Sequence, residues 1–212
     1  MKGIFDPESS FMQLLSSAAD LVILNVLFLI CSIPIFTMGA SFSAMHFVLM
    51  KMVKQEDSNN IRTFFEAFRQ NFKRATMLWL VFLVISGVIA GDAVLMIQGE
   101  VEIPKTAAVV VGAIYAVMLM VMMYAFPMIS RYENATKQIL KNSLLICILN
   151  LPKSVGMVLM YAAPFVLWYF SAKSIIFLLL LGISGPAYCN SHMLKGLYEK
   201  YEKKDVSEVN EE

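Results

Sequence analysis

Charged residues are scarce in this sequence for a chain of its length. Only 16% of the 212 residues are charged, whereas 58% are hydrophobic. A soluble domain has about a quarter charged residues, so the composition excludes an ordinary water-soluble globular protein. The apolar residues occur in long runs, which indicates that lipid covers much of the surface.

Cysteine is also scarce, and motifs that carry chemistry are missing. The three cysteines, Cys31, Cys147 and Cys189, are far apart in apolar stretches and fit neither a disulfide framework nor a zinc site. His46 and His192 have no Cys, His or acidic residue at metal-ligand spacing. The sequence contains no metalloprotease, hydrolase, phosphate-loop or dinucleotide motif. We therefore expect a non-enzymatic protein without a cofactor or metal, and without nucleic acid as a partner.

Long apolar runs predict an all-α membrane protein with a bundle of about five spans. A helix needs about 20 apolar residues to cross the hydrocarbon core. The predicted spans are residues 21–50, 75–97, 106–129, 155–169 and 175–194. We expect residues 1–200 to form one transmembrane domain and residues 201–212 a charged cytoplasmic tail. Six spans are the alternative count.

The first apolar run is longer than one straight span requires. Its 30 residues, 21–50, would extend about 45 Å as a helix, whereas the hydrocarbon core is roughly 30 Å thick. Pro34 and Gly39 interrupt the run. We favour one tilted span that is kinked here, and the alternative is a re-entrant pair of half-helices broken at residues 34–39.

An amphipathic segment at about residues 60–72 precedes the second span. Its apolar residues recur at the spacing of one helical face: Ile61, Phe64, Phe65, Phe68 and Phe72. Basic residues occupy the other side and the end of the segment: Arg62, Arg69, Lys73 and Arg74. The pattern predicts an interfacial helix with its aromatic side chains inward and a basic face that binds anionic lipids of the inner leaflet, or a protein partner.

The basic residues of the chain divide unequally between the two sides of the predicted bundle. With five spans, residues 51–74, 131–153 and 195–204 share one side and contain 14 lysines and arginines, against three on the other side. Segments rich in Lys and Arg stay in the cytoplasm. The distribution therefore predicts a multi-pass protein of the cell membrane with its amino terminus outside and its carboxyl terminus in the cytoplasm.

Residues 71–77 and 150–157 have related sequences, N-F-K-R-A-T-M and N-L-P-K-S-V-G-M, at an offset of 79 residues. In each, an amphipathic segment ends at an asparagine, a basic residue follows, and a span begins. Pro34 and Pro127 lie late in the preceding spans. These features predict an internal repeat of parallel orientation, made of a kinked span, an interfacial helix and a returning span. Chance similarity is an equally open explanation.

Polar and helix-breaking residues within the apolar runs lead to two hypotheses about sites. The first is a polar path lined by Asp20, Asn25, Asp92, Asn150 and Asn190. Both aspartates lie near the outer ends of their spans, and asparagines commonly bond between helices, so structural roles are the favoured alternative. The second hypothesis is a set of hinges at Pro34, Gly39, Pro127 and Pro186, although static kinks are more usual at such residues.

Several short motifs are similar to those of a known family. They are G-I-F at residues 3–5, A-D-L at 19–21, N-V-L-F-L-I-C-S-I-P at 25–34, T-M-G-A at 37–40, F-F-E-A-F-R-Q-N-F-K at 64–73 and R-Y-E-N at 131–134. On these motifs the chain resembles the YesL family of bacterial integral membrane proteins, whose members carry a domain of unknown function. The resemblance covers nearly the whole chain and is most specific in the first 80 residues.

The resemblance implies a setting for the protein but no functional residues. Members of that family are often encoded beside sugar-uptake ABC transporters and their regulators. We therefore expect an accessory or regulatory membrane protein associated with carbohydrate uptake, with a sugar ABC transporter or its regulators as partners. The alternative is a small transporter whose path is lined by Asp20, Asp92 and the intramembrane asparagines. The sequence leaves the oligomeric state open.

Overall fold

Helices account for all the regular structure in the described part of the chain. The computed structural model describes residues 10–56, 59–98, 104–133, 135–171 and 174–209. The helices are α1 (Ser10–Cys31), α2 (Met38–Val53), α3 (Asn60–Gln98), α4 (Lys105–Arg131), α5 (Thr136–Leu149), α6 (Leu151–Phe170), α7 (Ile175–Leu181) and α8 (Ser184–Val209). A 3-10 turn, Ile35–Thr37, precedes α2. The predicted all-α class is confirmed.

Several of these helices are long and apolar enough to cross a membrane. Four qualify alone, namely Ile35–Val53, Asn60–Gln98, Thr106–Arg131 and Leu151–Phe170, and the bent pair α7–α8 would be a fifth. Large apolar side chains face outward on α3 and α4, for example Val84, Val88, Ile97, Val109 and Val110. Water would make so large an apolar surface unstable. The protein is therefore a multi-pass membrane protein.

Residues 21–50 form two helices, so the predicted single kinked span is wrong. Pro34 lies between α1 and α2, where its missing N–H and fixed φ end helical bonding. The chain turns sharply enough for Phe28 to contact Phe42, with ring centroids 6.3 Å apart. In a straight helix the 14-residue separation would be about 21 Å. The structure is closer to the alternative of two helices broken near residues 34–39.

The predicted interfacial helix and the second span are one continuous helix, α3. No proline occurs between Asn60 and Gln98, and no residue interrupts the backbone hydrogen bonds at the predicted boundary. Its 39 residues extend about 58 Å, which is far longer than the hydrocarbon core. Of the predicted inward face, Phe64 is fully buried, whereas Ile61 and Phe65 are about half exposed.

The later helices lie at the positions where the sequence predicts the later spans, but the breaks between helices differ from the prediction. Pro104 precedes α4, and α4 continues through Pro127 to Arg131. Helix α5 ends at Leu149 and α6 begins at Leu151. The chain breaks at Asn150, which leaves the helical conformation, and Pro152 lies in the first turn of the new helix. The two predicted repeats therefore differ: α3 is continuous, and α5–α6 is broken. The repeat itself stays a prediction.

The predicted span 175–194 is bent by 46° between α7 and α8. A Cβ atom on Gly182 would collide with the backbone of Leu178, so the bend requires glycine at this position. Helix α8 then continues to Val209. The charged tail predicted from residue 201 is therefore helical over its first part, and residues 210–212 lie outside the described residues.

Helix α2 lies at the centre of the packing, against α1, α3, α4 and α8. Its small residues Ala40, Ser41, Ser43 and Ala44 are fully buried and allow the neighbouring backbones to approach closely. A Cβ atom on Gly39 would lie 2.7 Å from the carbonyl oxygen of Ala75 on α3. The polar end of α2, near Val53, therefore lies beside the start of α3.

The four predicted hinge residues have different structural positions. Pro34 lies at the break between α1 and α2, and Gly39 lies at the close contact with α3. Pro127 is inside the continuous helix α4. Pro186 is in the first turn of α8, and the bend itself is at Gly182. Whether any of these positions moves stays a prediction.

Candidate functional site

Three basic segments that are distant in sequence meet at one end of the bundle. The Nζ atom of Lys195 on α8 is 3.5 Å from the carbonyl oxygen of Val53 at the end of α2. Both guanidinium NH groups of Arg74 on α3 approach the carbonyl oxygen of Tyr132, which follows α4, at 3.4 and 3.5 Å. These contacts join residues 51–74, 131–153 and 195–204, the three segments that together contain 14 lysines and arginines. We refer to this part of the bundle as the basic end.

The predicted basic face on α3 consists of three exposed residues instead of four. Arg62, Arg69 and Lys73 are exposed, whereas Arg74 is half-buried against the segment after α4. The Nε atom of Arg62 donates to Glu66 at 2.7 Å, and this hydrogen bond, together with the charge of Glu66, raises the pKa of the Arg62 guanidinium. The Arg62 guanidinium therefore stays cationic in its pair with Glu66.

A cavity of about 240 Å³ lies at the basic end between α2 and α4. Four of its lining residues are charged and at least partly exposed: Lys51, Lys54, Glu56 and Arg131. Its buried lining residues are His46, Met50 and Pro127. The cavity therefore changes from charged to apolar between its exposed and buried sides.

His46 forms the buried side of this cavity and takes part in a hydrogen-bonded network. The Ser191 hydroxyl donates to the carbonyl of Ala187 at 2.8 Å, and its oxygen lies 3.4 Å from Nδ1 of His46. Because the serine hydrogen is already used, Nδ1 is the donor to Ser191, and Nε2 accepts from the Tyr161 hydroxyl at 2.8 Å. His46 is thus held as a neutral imidazole with both nitrogens bonded.

A second cavity, of about 260 Å³, lies beyond Tyr161 and is apolar. Its aromatic lining residues are Phe28, Phe42, Trp79, Phe82, Phe126 and Phe165. Tyr161 also lines this cavity, and His46 lines the basic one. The hydrogen bond between the two side chains therefore lies in the wall that separates the cavities.

Asn25, from the predicted polar path, has a structural role that its contacts explain. It is fully buried on α1. Its Nδ2 donates to the carbonyl of Leu179 at 2.7 Å, and its Oδ1 accepts from the backbone N–H groups of Ile183 and Ser184 at 3.1 and 3.0 Å. These N–H groups lie where α8 begins and lack partners within the helix. Asn25 therefore joins α1 to the bend between α7 and α8.

The other four residues of the predicted path have different partners and exposures. Asn190 is buried and donates to the carbonyl of Met157 at 3.4 Å. Asn150 donates to the carbonyl four residues earlier in its own helix. Asp20 is half-buried on α1, and Asp92 is exposed towards the end of α3. None of the five lines either of the two cavities described above, so their positions give the transporter hypothesis no support.

The network partners of His46 could not be recognised in the sequence. Tyr161 and Ser191 lie 115 and 145 residues away from it. The sequence provides only a weak indication of the cavity's lysines. Lys51 and Lys54 lie one helical turn apart at the end of an apolar run. Within the described ranges, no three His, Cys, Asp or Glu side chains come together as a metal site.

Comparison with known proteins gives one family match. No curated protein and no solved structure matches the chain. A family model matches residues 21–93, which is about a third of the chain and extends from α1 through α2 into α3. In this region the chain is similar to the family described as "Protein of unknown function, DUF624".

Proposed function

We propose that the protein is a non-enzymatic accessory or regulatory component of the cell membrane that acts through its basic end. The observation that carries the proposal is the exposed row of Arg62, Arg69 and Lys73 on α3, beside the ends of α2 and α4. No acidic residue other than Glu66 lies between them in the sequence. A row of solvated positive charges on a rigid helix is suited to an acidic protein surface or an anionic membrane.

The orientation in this proposal follows from the distribution of charge. The basic end, with the carboxyl terminus, lies in the cytoplasm. The expected position of the amino terminus outside depended on one span in residues 21–50, where the structure has two helices. Anionic lipids of the inner leaflet attract the exposed basic residues by about 1 kcal/mol each near the surface. The protein partner is a sugar ABC transporter or one of its regulators, and nucleic acid is not a partner. The carbohydrate part of the proposal rests on the family resemblance alone.

Crosslinking in intact cells tests this proposal. A photoreactive amino acid at Gln70, which is exposed between Arg69 and Lys73, should capture subunits of a sugar ABC transporter or its regulators, identified by mass spectrometry. The triple variant Arg62→Gln, Arg69→Gln, Lys73→Gln should reduce that capture at least tenfold, because three charges leave the contact surface.

The chain offers a matched control for the triple variant. Lys137, Lys141 and Lys153 are also exposed, but they lie on α5 and α6. Replacing these three lysines with glutamine removes the same charge and should leave capture at Gln70 unchanged. Capture of unrelated proteins only, or equal loss in the two triple variants, would refute docking through α3.

A further inference from the structure

The cavity at the basic end contains more positive than negative charge. Lys51, Lys54 and Arg131 line it together with a single acid, Glu56. The Nζ atom of Lys54 is 3.9 Å from Glu56, so one positive charge is partly balanced. Lys195 adds a fourth cation nearby, 3.5 Å from the Val53 carbonyl.

The ends of α2 and α4 reduce this positive charge but do not cancel it. Both helices end beside the cavity, and each carboxyl end carries about half a negative charge. Among the described lining residues, three cations and one carboxylate leave an excess of positive charge, which the two helix ends reduce. A small anion is the complementary ligand.

Neighbouring side chains hold two of these cations in place. The Nζ atom of Lys51 is 5.2 Å from the centre of the Phe47 ring. The guanidinium of Arg131 is 5.5 Å from the ring centres of both Tyr132 and Tyr198. Contacts of this kind stabilise a cation without neutralising it. The charged side of the cavity is therefore ordered before any ligand arrives.

The buried side of the cavity is neutral. Both nitrogens of His46 are bonded, to Tyr161 and Ser191, so the ring adds no charge. Met50 and Pro127 complete this side, and both are buried. A ligand that fills the cavity thus places its anionic group at the lysines and a less polar part against these residues.

From this geometry we propose that the cavity between α2 and α4 binds a phosphate-bearing anion, with the phosphate at Lys51, Lys54 and Arg131. A phosphate carries one to two negative charges and several acceptor oxygens, which suits a lining with an excess of positive charge and several donors. The cavity volume of about 240 Å³ is below that of a site for a drug-sized molecule, so the ligand is the size of a lipid headgroup or a small phosphomonoester. This site is separate from the exposed row on α3.

Binding to the purified full-length protein in nanodiscs tests the proposal and identifies the source of the phosphate. In phosphatidylcholine nanodiscs, calorimetry measures the binding of inorganic phosphate and glycerol 3-phosphate. In nanodiscs that also contain phosphatidylglycerol, native mass spectrometry measures retained lipid. Binding of the soluble phosphates indicates a free ligand, and retention of phosphatidylglycerol alone indicates a lipid headgroup. Either result supports the site, and binding of neither overturns it.

Substitutions assign the binding to this cavity. The pair Lys51→Gln, Lys54→Gln should weaken binding about 100-fold, roughly tenfold for each charged donor lost. Replacing the same residues with arginine keeps the charge and should keep the affinity within a few fold. The control pair Lys137→Gln, Lys141→Gln on α5 should bind as the unmodified protein does. Unchanged binding by the glutamine pair, or an equal loss in the control pair, overturns the assignment.

Discussion

Replacing Asn25 with leucine would remove the three hydrogen bonds that join α1 to the bend between α7 and α8. The side chain is fully buried, and its partners are the Leu179 carbonyl and the N–H groups of Ile183 and Ser184. Leucine has a similar size, so the change removes bonds without leaving a large cavity. Hydrogen bonds between membrane helices contribute roughly 0.6–1.7 kcal/mol each. We expect the free energy of unfolding to fall by about 2–5 kcal/mol.

Equilibrium unfolding in mixed micelles of a mild detergent and dodecyl sulfate would measure this loss. Trp79 packs against Phe82 and Phe126 in the folded bundle, so its fluorescence should report the transition. Asp92→Asn is the control, because Asp92 belongs to the same predicted path but is exposed; its effect should stay below about 0.5 kcal/mol. A loss below about 0.5 kcal/mol for Asn25→Leu would refute the structural role.

Three further substitutions test the packing and the hydrogen bonds by the same unfolding measurement. Gly39→Leu should destabilise the protein by about 1–3 kcal/mol, because a side chain there collides with α3, and an unchanged midpoint would contradict the close approach. Tyr161→Phe should cost about 1–3 kcal/mol, because Nε2 of His46 becomes a buried acceptor without its donor; a neutral effect would show that the bond is not formed. Arg62→Gln should leave stability unchanged, because its pair with Glu66 is exposed, and a clear loss would indicate a contact that the structure lacks.

Hydropathy located the helices but could not determine how the chain connects them. The run 106–129 agrees with α4 because a single uninterrupted span leaves little choice. In residues 21–50 both sides of Pro34 are apolar, and nothing in the sequence reveals the contact of Phe28 with Phe42. At residues 72–75 the change from amphipathic to apolar suggested a boundary, but a change of environment does not break a helix without a residue that interrupts its hydrogen bonds.

The roles of the polar residues depended on tertiary contacts. Asn25 was a candidate for a polar path, with bonding between helices as the favoured alternative, and its partners are backbone groups more than 150 residues away. His46 was judged by neighbours in the sequence, whereas Tyr161 and Ser191 come from α6 and α8. The grouping of the basic segments at one end of the bundle was easier to predict, because segments rich in charged side chains must contact water. Sequence therefore indicated the basic end but not the cavity within it.

The uninterrupted course of α3 has a mechanical consequence. From Asn60 to Ser86 the helix contains neither proline nor glycine, so this stretch behaves as a stiff rod over about 40 Å. The arginines near its start and Trp79 in the wall of the apolar cavity are fixed to the same rod. A force applied at the arginines would therefore reach the tryptophan through the helix itself, because no hinge lies between them.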